Sequence, residues 1–336
     1  MAGNSILKHR EAVLAALVVV LALGTSLINP NFLTLENITD LLKANTVSGI
    51  FSLGVLMVIV SGGFDVSFTA IAQVTQYAIV LLMLERTEGN IYLAILAAVF
   101  FGIVLGLING AIIHYYNMPA IIVTIATQSL YYGIMYVVTR GRQINDIPSF
   151  FWSFSNAKVV EFTSPAGGTY GLSLITALWF ILAVILYVFL RHSKLGRSIY
   201  AVGGSRISAE RIGFNLAHTT LFVYAAMGAL AGLAGVVHVS IVQSVIPSSI
   251  VGSELQVIAA VVLGGASVTG GKGTVLGAFL GVLLLAILSN SLTLLRISSY
   301  YSNVFTGLII LISVTANAIQ VQRQRRQRVR VQIDKA

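Results

Sequence analysis

The sequence contains no cysteine. That excludes disulfide cross-links, thiolate nucleophiles and cysteine-ligated metals. Charge is nearly as scarce. Only 9% of the 336 residues are Asp, Glu, Lys or Arg, against roughly 25% in an ordinary soluble domain. A water-facing surface for a chain of this size cannot be built from so few charges. The five histidines form no HExxH-type pair, and no Ser/His/Asp or paired-carboxylate grouping can be assembled. Catalysis and metal binding are therefore not expected of this chain.

What the sequence has instead is apolar length. Hydrophobic residues make up 57% of it, and the mean hydropathy is +0.92. A helix needs about 20 mostly apolar residues to cross a bilayer core. On that rule spans are expected at Ala12–Ile28, Ala44–Val60, Phe68–Leu84, Ile91–Ile113, Ile121–Val138, Leu172–Leu190, Thr219–Val237, Thr274–Leu294 and Tyr300–Ala318. A shorter run, Leu255–Leu263, reads either as a tenth crossing or as half of a broken helix. The first run follows Lys8, His9 and Arg10 as a signal peptide would. Asn29-Pro30-Asn31-Phe32 is not a small-x-small cleavage site, so that run is read as a retained helix. The expected fold is an all-α polytopic membrane protein of about ten transmembrane helices, some broken or re-entrant, forming one domain over residues 1–336.

Basic residues set the orientation. The net charge of +9 fits cytoplasmic loops better than a nucleic-acid partner. Segment 191–218 carries Arg191, Lys194, Arg197, Arg206 and Arg211, and the tail 319–336 carries Arg323, Arg325, Arg326, Arg328, Arg330 and Lys335. Placing both, and residues 1–11, in the cytoplasm, which puts the turn with Lys272 there too, leaves 14 of the 20 Lys and Arg inside. Even crossing numbers are then required on either side of segment 191–218, which favours counting Leu255–Leu263 as a crossing. The loop Arg140–Tyr170 falls outside. Its Phe150, Phe151, Trp152 and Phe154 suit either an interfacial aromatic belt or a docking surface.

Glycine is abundant, at 31 residues. Gly102, Gly106 and Gly110 are spaced GxxxGxxxG, and Gly228/Gly232 and Gly277/Gly281 repeat the interval. Such strips let backbones approach closely, either within one subunit or along a dimer or sliding seam. The segment "GASVTGGKGT", Gly265–Thr274, imitates a phosphate loop but fails it. Aligned on Gly271-Lys272, Ala266 stands where the first glycine belongs and Gly273 where Ser or Thr belongs. Its glycines, Gly264 and Gly265 among them, mark a broken helix: either a cytoplasmic turn or irregular backbone along a translocation path.

"SGGFDVS", Ser61–Ser67, is a second such break. Asp65 reads as the only carboxylate at depth, either capping the third span with help from Ser67 or forming a polar wall of a solute path. Gly62, Gly63, Phe64, Asp65, Ser67, Asn109, Gln128, Gly264 and Gly265 are the candidate path residues. "VIVSGGFDVS" also resembles "VVLGGASVTG", as a vestigial repeat would. A third segment, "KLGRSIYAVGGSRISAERIGFN", Lys194–Asn215, is longer than a simple connection needs. It suits either a docking helix near Ile207–Ile212 or a solvated basic loop. Gly203, Gly204, Arg206, Ala209, Glu210, Arg211 and Gly213 are the candidate coupling residues.

These segments together resemble the permease subunits of bacterial ABC importers for monosaccharides: the ribose, xylose, arabinose, galactose, rhamnose and autoinducer-2 group, within the branched-chain-type permease superfamily. The family's GGIDLS-like element matches Gly62–Ser67. Its LGRxxYAxGGN…A…GI loop matches Leu195–Asn215, with Gly204-Ser205 where Gly-Asn is usual. Its ELxxIAAxVLGGxSxxGGxGxxxG element matches Glu254–Gly277, and Pro119–Ile144 resembles its central span. The departures are Phe64 for Ile, and Phe68-Thr69 where Gly-Ser or Gly-Ala is usual. The pattern looks nearer the autoinducer-2 and rhamnose members than the ribose ones.

The resemblance implies a channel-forming subunit in a bacterial inner membrane, working by alternating access. It implies a cytoplasmic ABC ATPase partner that holds ATP and Mg, a periplasmic solute-binding protein, and a second permease in a homodimer or heterodimer. No cofactor would be bound by this chain. The competing reading is an ion-coupled secondary transporter. That mechanism needs ionisable groups within the bilayer, where the sequence reading offers the carboxylate of Asp65 alone.

Overall fold

A computed structural model describes residues 2–84, 89–163 and 168–296, with scattered positions between 301 and 315. The expected span Tyr300–Ala318 falls largely, and the tail 319–336 wholly, outside the described residues. Among the described residues, six helices are long and apolar enough to cross a membrane: α1 (Ala2–Ile28), α5 (Ile91–Tyr115), α6 (Ala120–Thr139), α8 (Leu174–His192), α11 (Leu216–Val242) and α13 (Val275–Leu294). Their outward faces carry bare aliphatic side chains, such as Val20 and Leu27 on α1, Leu96 and Phe100 on α5, and Val184 and Ile185 on α8. Water would not tolerate such a continuous surface, and lipid does.

A seventh crossing is bent. The expected straight span Ala44–Val60 is in fact α3 (Thr46–Val60), joined to α2 (Leu35–Ala44) at an angle of 51°. The cause lies at the joint. The Asn45 side chain donates to the carbonyl of Leu41 and the Thr46 hydroxyl to that of Leu42, and such back-bonding to the preceding turn bends helices. Fifteen residues of α3 cover only about 22 Å, so α2 supplies the remaining depth.

Two further apolar helices are short. α4 (Phe68–Met83) has 16 residues and α12 (Glu254–Leu263) has 10, about 24 Å and 15 Å respectively. α4 was expected as a full span. Irregular chain precedes each, at 61–67 and 243–253. α12 thus settles the Leu255–Leu263 ambiguity as half a crossing whose other half is not helical.

The glycine strips pack within the chain. A Cβ at Gly102 would lie 2.1 Å from the Gly228 carbonyl oxygen, and one at Gly228 2.0 Å from that of Gly102. Gly106 meets Tyr224 and Gly232 meets Ala98 in the same way. The α5–α11 pair is therefore the central seam. Gly277 and Gly281 make a second seam with α12, against the carbonyls of Gly264 and Ala260.

Outside the bilayer the Arg140–Tyr170 loop departs from expectation. It holds α7 (Ser149–Asn156) and then β1 (Lys158–Thr163), which pairs antiparallel with β2 (Thr169–Ser173). The all-helical reading missed this hairpin. Its strands are the β-rich KVVEFT and TYGLS, whose Val, Phe, Tyr and Thr favour pleated pairing. On the cytoplasmic side, segment 191–218 is mostly helical, as α9 (Lys194–Gly204) and α10 (Arg206–Arg211).

Candidate functional site

α3 ends on a glycine turn. The Gly62 N–H bonds the Ile59 carbonyl and the Gly63 N–H that of Val58, with Gly62 at φ +81°. This is a Schellman cap. α12 ends the same way: Gly265 bonds Val262, Ala266 bonds Val261, and Gly265 has φ +92°. The likeness of "VIVSGGFDVS" to "VVLGGASVTG" is thus a likeness of backbone geometry.

Beyond the first turn the chain runs into α4. Asp65 is 3% exposed. Its Oδ1 accepts from the Ser67 amide at 2.7 Å and the Ser67 hydroxyl at 2.6 Å. The carboxylate therefore sits at the N-terminus of α4, where unpaired amides and the helix dipole favour negative charge. The Ser67 hydroxyl in turn accepts from Asn109 of α5 at 2.7 Å. The Phe64 carbonyl accepts from the hydroxyls of Tyr224 and Thr124 at 3.3 and 3.4 Å.

Asp65 is not the only interior carboxylate, as the sequence suggested. Glu254, at the N-terminus of α12, is 7% exposed. Its carboxylate accepts from the Gly252 amide at 2.9 and 3.0 Å, from Gln128 Nε2 at 2.6 Å and from the Thr69 hydroxyl. Sequence reasoning passed over Glu254 because its donors come from positions 69, 128 and 252, which no local pattern connects. Its place at the head of the ELxxIAA element was the available signal. Glu254 stands one length of α12, about 15 Å, above the cytoplasmic turn, close to the middle of a core about 30 Å thick. Thr69, in the first turn of α4, reaches this carboxylate, so the N-termini of α4 and α12 adjoin, while Asp65, two residues past the Gly63 turn, lies nearer that turn than Glu254 does.

The other candidate path residues lie elsewhere. Gly62, Gly264 and Gly265 do not join this cluster. Gly62 and Gly265 form the two caps, and Gly264 packs against Gly277. The turns meet cytoplasmic α9 instead. A Cβ on Gly203 would lie 1.8 Å from the Val60 carbonyl oxygen and 2.7 Å from the Gly271 nitrogen. The Gly271 amide donates to Val60 at 2.8 Å, and the Tyr200 hydroxyl donates to the Gly273 carbonyl at 2.8 Å. Gly63 lies beneath the Tyr224 hydroxyl. The three glycine segments found in the sequence thus converge on one bare-backbone junction at the cytoplasmic face.

Of the coupling candidates, Gly203 is part of this junction. Gly204, Arg206, Glu210 and Arg211 are exposed. Ala209 is buried at 1% exposure, so it anchors α10 and cannot touch a partner. Gly213 lies past the helix, at φ +90°, where its amide bonds Glu210 and that of Phe214 bonds Ala209. It is the cap residue of α10 and no part of the helix itself. Ile207 and Ile212, which bound the expected docking helix, are 67% and 71% exposed beside Arg206 and Arg211.

Residues 37–314 match the family model described as branched-chain amino acid transport system / permease component. The ribose import permease protein RbsC of Haemophilus influenzae is 34% identical over 317 residues, covering 94% of each chain. That of Bacillus subtilis is 34% identical over 297 residues, covering 88% of each. The autoinducer 2 import system permease protein LsrC of Salmonella paratyphi B is 30% identical over 304 residues, covering 90% of this chain and 84% of its own. The expected leaning toward the autoinducer-2 members is thus reversed: these ribose relatives are the more similar.

Proposed function

We propose, on the premise that this chain belongs to the branched-chain amino acid transport system / permease component family, that it is the channel-forming subunit of an ATP-driven importer for a sugar or sugar-like solute. It is a multi-pass protein of the bacterial inner membrane and a transport subunit, not an enzyme. Similarity along almost the whole length to permeases named for ribose and autoinducer 2 import supports the solute class.

ATP and Mg would be bound by a cytoplasmic ABC ATPase, docking on exposed α10 through Ile207, Ile212 and the flanking arginines. A periplasmic solute-binding protein would deliver solute from the other side. A second permease, identical or not, would complete the path. The observation that carries the mechanism is the glycine junction. α9, which leads directly into α10, is in backbone contact with both glycine segments, one leading to Asp65 and the other ending the helix that Glu254 begins. Motion imposed on α9–α10 would reach both at once, as alternating access requires.

The test is uptake of radiolabelled ribose by the reconstituted complex. Import should need ATP and survive a protonophore. Uptake that persists without the ATPase and collapses with the ion gradient would establish the secondary-transporter reading instead.

A further inference from the structure

α4 is an apolar helix with a polar seam. Thr69, Gln73 and Gln76 stand at i, i+4 and i+7, on one face, and each is fully buried. A helix that needed only to pack would carry aliphatic side chains there, because amides at membrane depth are costly. At Gln76 the cover is α11, through His238, but over Gln73 it is the irregular segment 243–253, which descends from the end of α11 to Glu254. Gln73 donates to the Ile246 carbonyl at 2.9 Å and accepts from the Ile250 amide at 3.1 Å and the Ser249 hydroxyl at 3.3 Å. Irregular backbone at such depth is tolerated only where protein covers it or a watery cavity runs beside it.

Two details set the seam apart from ordinary packing. Gln76 Oε1 pairs with His238 Nδ1 at 3.0 Å, but Gln76 Nε2 is buried with no partner. Whichever way the amide is turned, one of its polar atoms is unmatched. Asn109 Oδ1, beside Ser67 at the foot of α4, is also buried and unpartnered. Unsatisfied groups of this kind need an explanation, and a ligand supplies one.

We propose that Thr69, Gln73 and Gln76, with Glu254 at their foot, form a hydroxyl-binding track for a polyhydroxylated solute, and that segment 243–253 is the strap closing it from the extracytoplasmic side. The inference rests on the import reading above and adds the site and its gate. The chemistry matches. A side-chain amide offers a donor and an acceptor together, as Gln73 does here toward the strap backbone, and a sugar hydroxyl also gives and takes. Glu254 accepts four contacts now and would accept from a vicinal diol in place of the Gln128 amide. When the strap lifts, Gln73 exchanges backbone partners for solute hydroxyls, and the unpartnered Gln76 amide acquires one.

The strap has an anchor that makes it testable. Val245 and Ile144, in the extracytoplasmic loop after α6, exchange backbone hydrogen bonds at 3.0 and 2.8 Å. Such a pair has Cα atoms about 5.5 Å apart, within disulfide reach, and the native chain has no competing cysteine. Ile144→Cys with Val245→Cys, in the complete transporter, should oxidise readily. Radiolabelled ribose uptake should then fall at least 10-fold and recover on reduction. Gln73→Leu and Gln76→Leu should each lower uptake at least 10-fold while the ATPase still co-purifies. Gln76→Leu also strands His238 Nδ1, so thermal stability is read beside uptake: a merely structural role would lower stability and leave the uptake of the folded complex unchanged.

Undiminished uptake by the oxidised pair would overturn the strap, as would a pair that does not oxidise. Wild-type uptake by both leucine variants would overturn the track. In each of those cases the cysteine-free parent still imports ribose, so the import reading stands. If the parent imports no ribose with ATP, the import reading falls and the track falls with it.

Discussion

Two adjacent glycines at the end of α9 offer a matched experiment. Gly203 and Gly204 differ by one position, and neither has a positive φ, so alanine strains the backbone at neither. They differ in what a methyl group would meet. At Gly204 nothing lies within 4 Å. At Gly203 the methyl carbon would fall 1.8 Å from the Val60 carbonyl oxygen, when real Cβ atoms essentially never come within 3.0 Å of a neighbour. The obstacle is backbone, which has no rotamer to change, so α9 must back away from the α3 turn by more than 1 Å. Overpacking of this kind costs about 1–3 kcal/mol. The shift also strains the Gly271 to Val60 hydrogen bond of 2.8 Å, worth about 0.5–1.5 kcal/mol net. Together these predict that Gly203→Ala destabilises the junction by about 2–4 kcal/mol. Gly204→Ala should leave stability within ~0.5 kcal/mol of the parent, as for an ordinary surface change. The assay is thermal unfolding of the detergent-solubilised permease, followed by ATP-driven uptake after reconstitution. Gly203→Ala should unfold at lower temperature and show less solute moved per ATP hydrolysed. If the two alanine variants unfold together and transport alike, the junction does not exist as described.

Three further outcomes can be checked. Asp65→Asn keeps an acceptor for the Ser67 amide and should retain folding and partial transport, whereas Asp65→Leu strands that amide at a cost of about 1–3 kcal/mol; equal behaviour of the two in a melting and uptake assay would make Asp65 a bystander. Single cysteines at the exposed Ser205 and Asn156 should react with impermeant maleimide from the cytoplasmic and extracytoplasmic sides respectively, and same-side labelling would show the crossing number between them to be even where it is read as odd. Ile207→Glu puts a charge on the exposed apolar tip of α10 and should abolish ATPase co-purification without lowering permease levels; normal co-purification would place the docking face elsewhere.

Much of this architecture is legible in local sequence, because its signals are local. Twenty apolar residues declare a span wherever they occur. "SGG" and "GGA" after an apolar run declare a Schellman cap, since glycine alone takes the left-handed φ without cost. The GxxxG strips announce close approach, although only the fold shows that Gly102 faces Gly228 within one chain. What escaped has a different character. Glu254 becomes a centre through Thr69, Gln128 and Gly252, and such tertiary convergence leaves no periodic trace. The bend at Asn45 falls where the polar α2 meets the apolar run, and two side-chain hydrogen bonds, to which hydropathy is blind, cause it. The β1–β2 hairpin lies in a loop whose aromatic content drew attention to Phe150–Phe154 and away from the alternating KVVEFT that follows.

The repeated cap has a mechanical consequence. α3 and α12 both descend to the cytoplasmic face, end in the same six-to-one and five-to-two hydrogen-bond pattern, and turn back upward. Each turn presents bare backbone to Gly203 or its neighbour: Val60 on one side, Gly271 on the other, joined by a single amide-to-carbonyl bond. A side chain at any of these contacts would leave slack, since rotamers change more easily than backbone moves. With glycine on all three segments there is no such slack, and a displacement of α9 passes to both turns together. The ends of those turns remote from α9 are not symmetric. The first leads up through Asp65 into α4. The second lies at the lower end of α12, whose upper end is Glu254 and the strap. Tilting the pair therefore changes the relation between α4 and α12, where Thr69 meets Glu254. That contact is the one place where the cytoplasmic junction and the extracytoplasmic strap act on the same two helices.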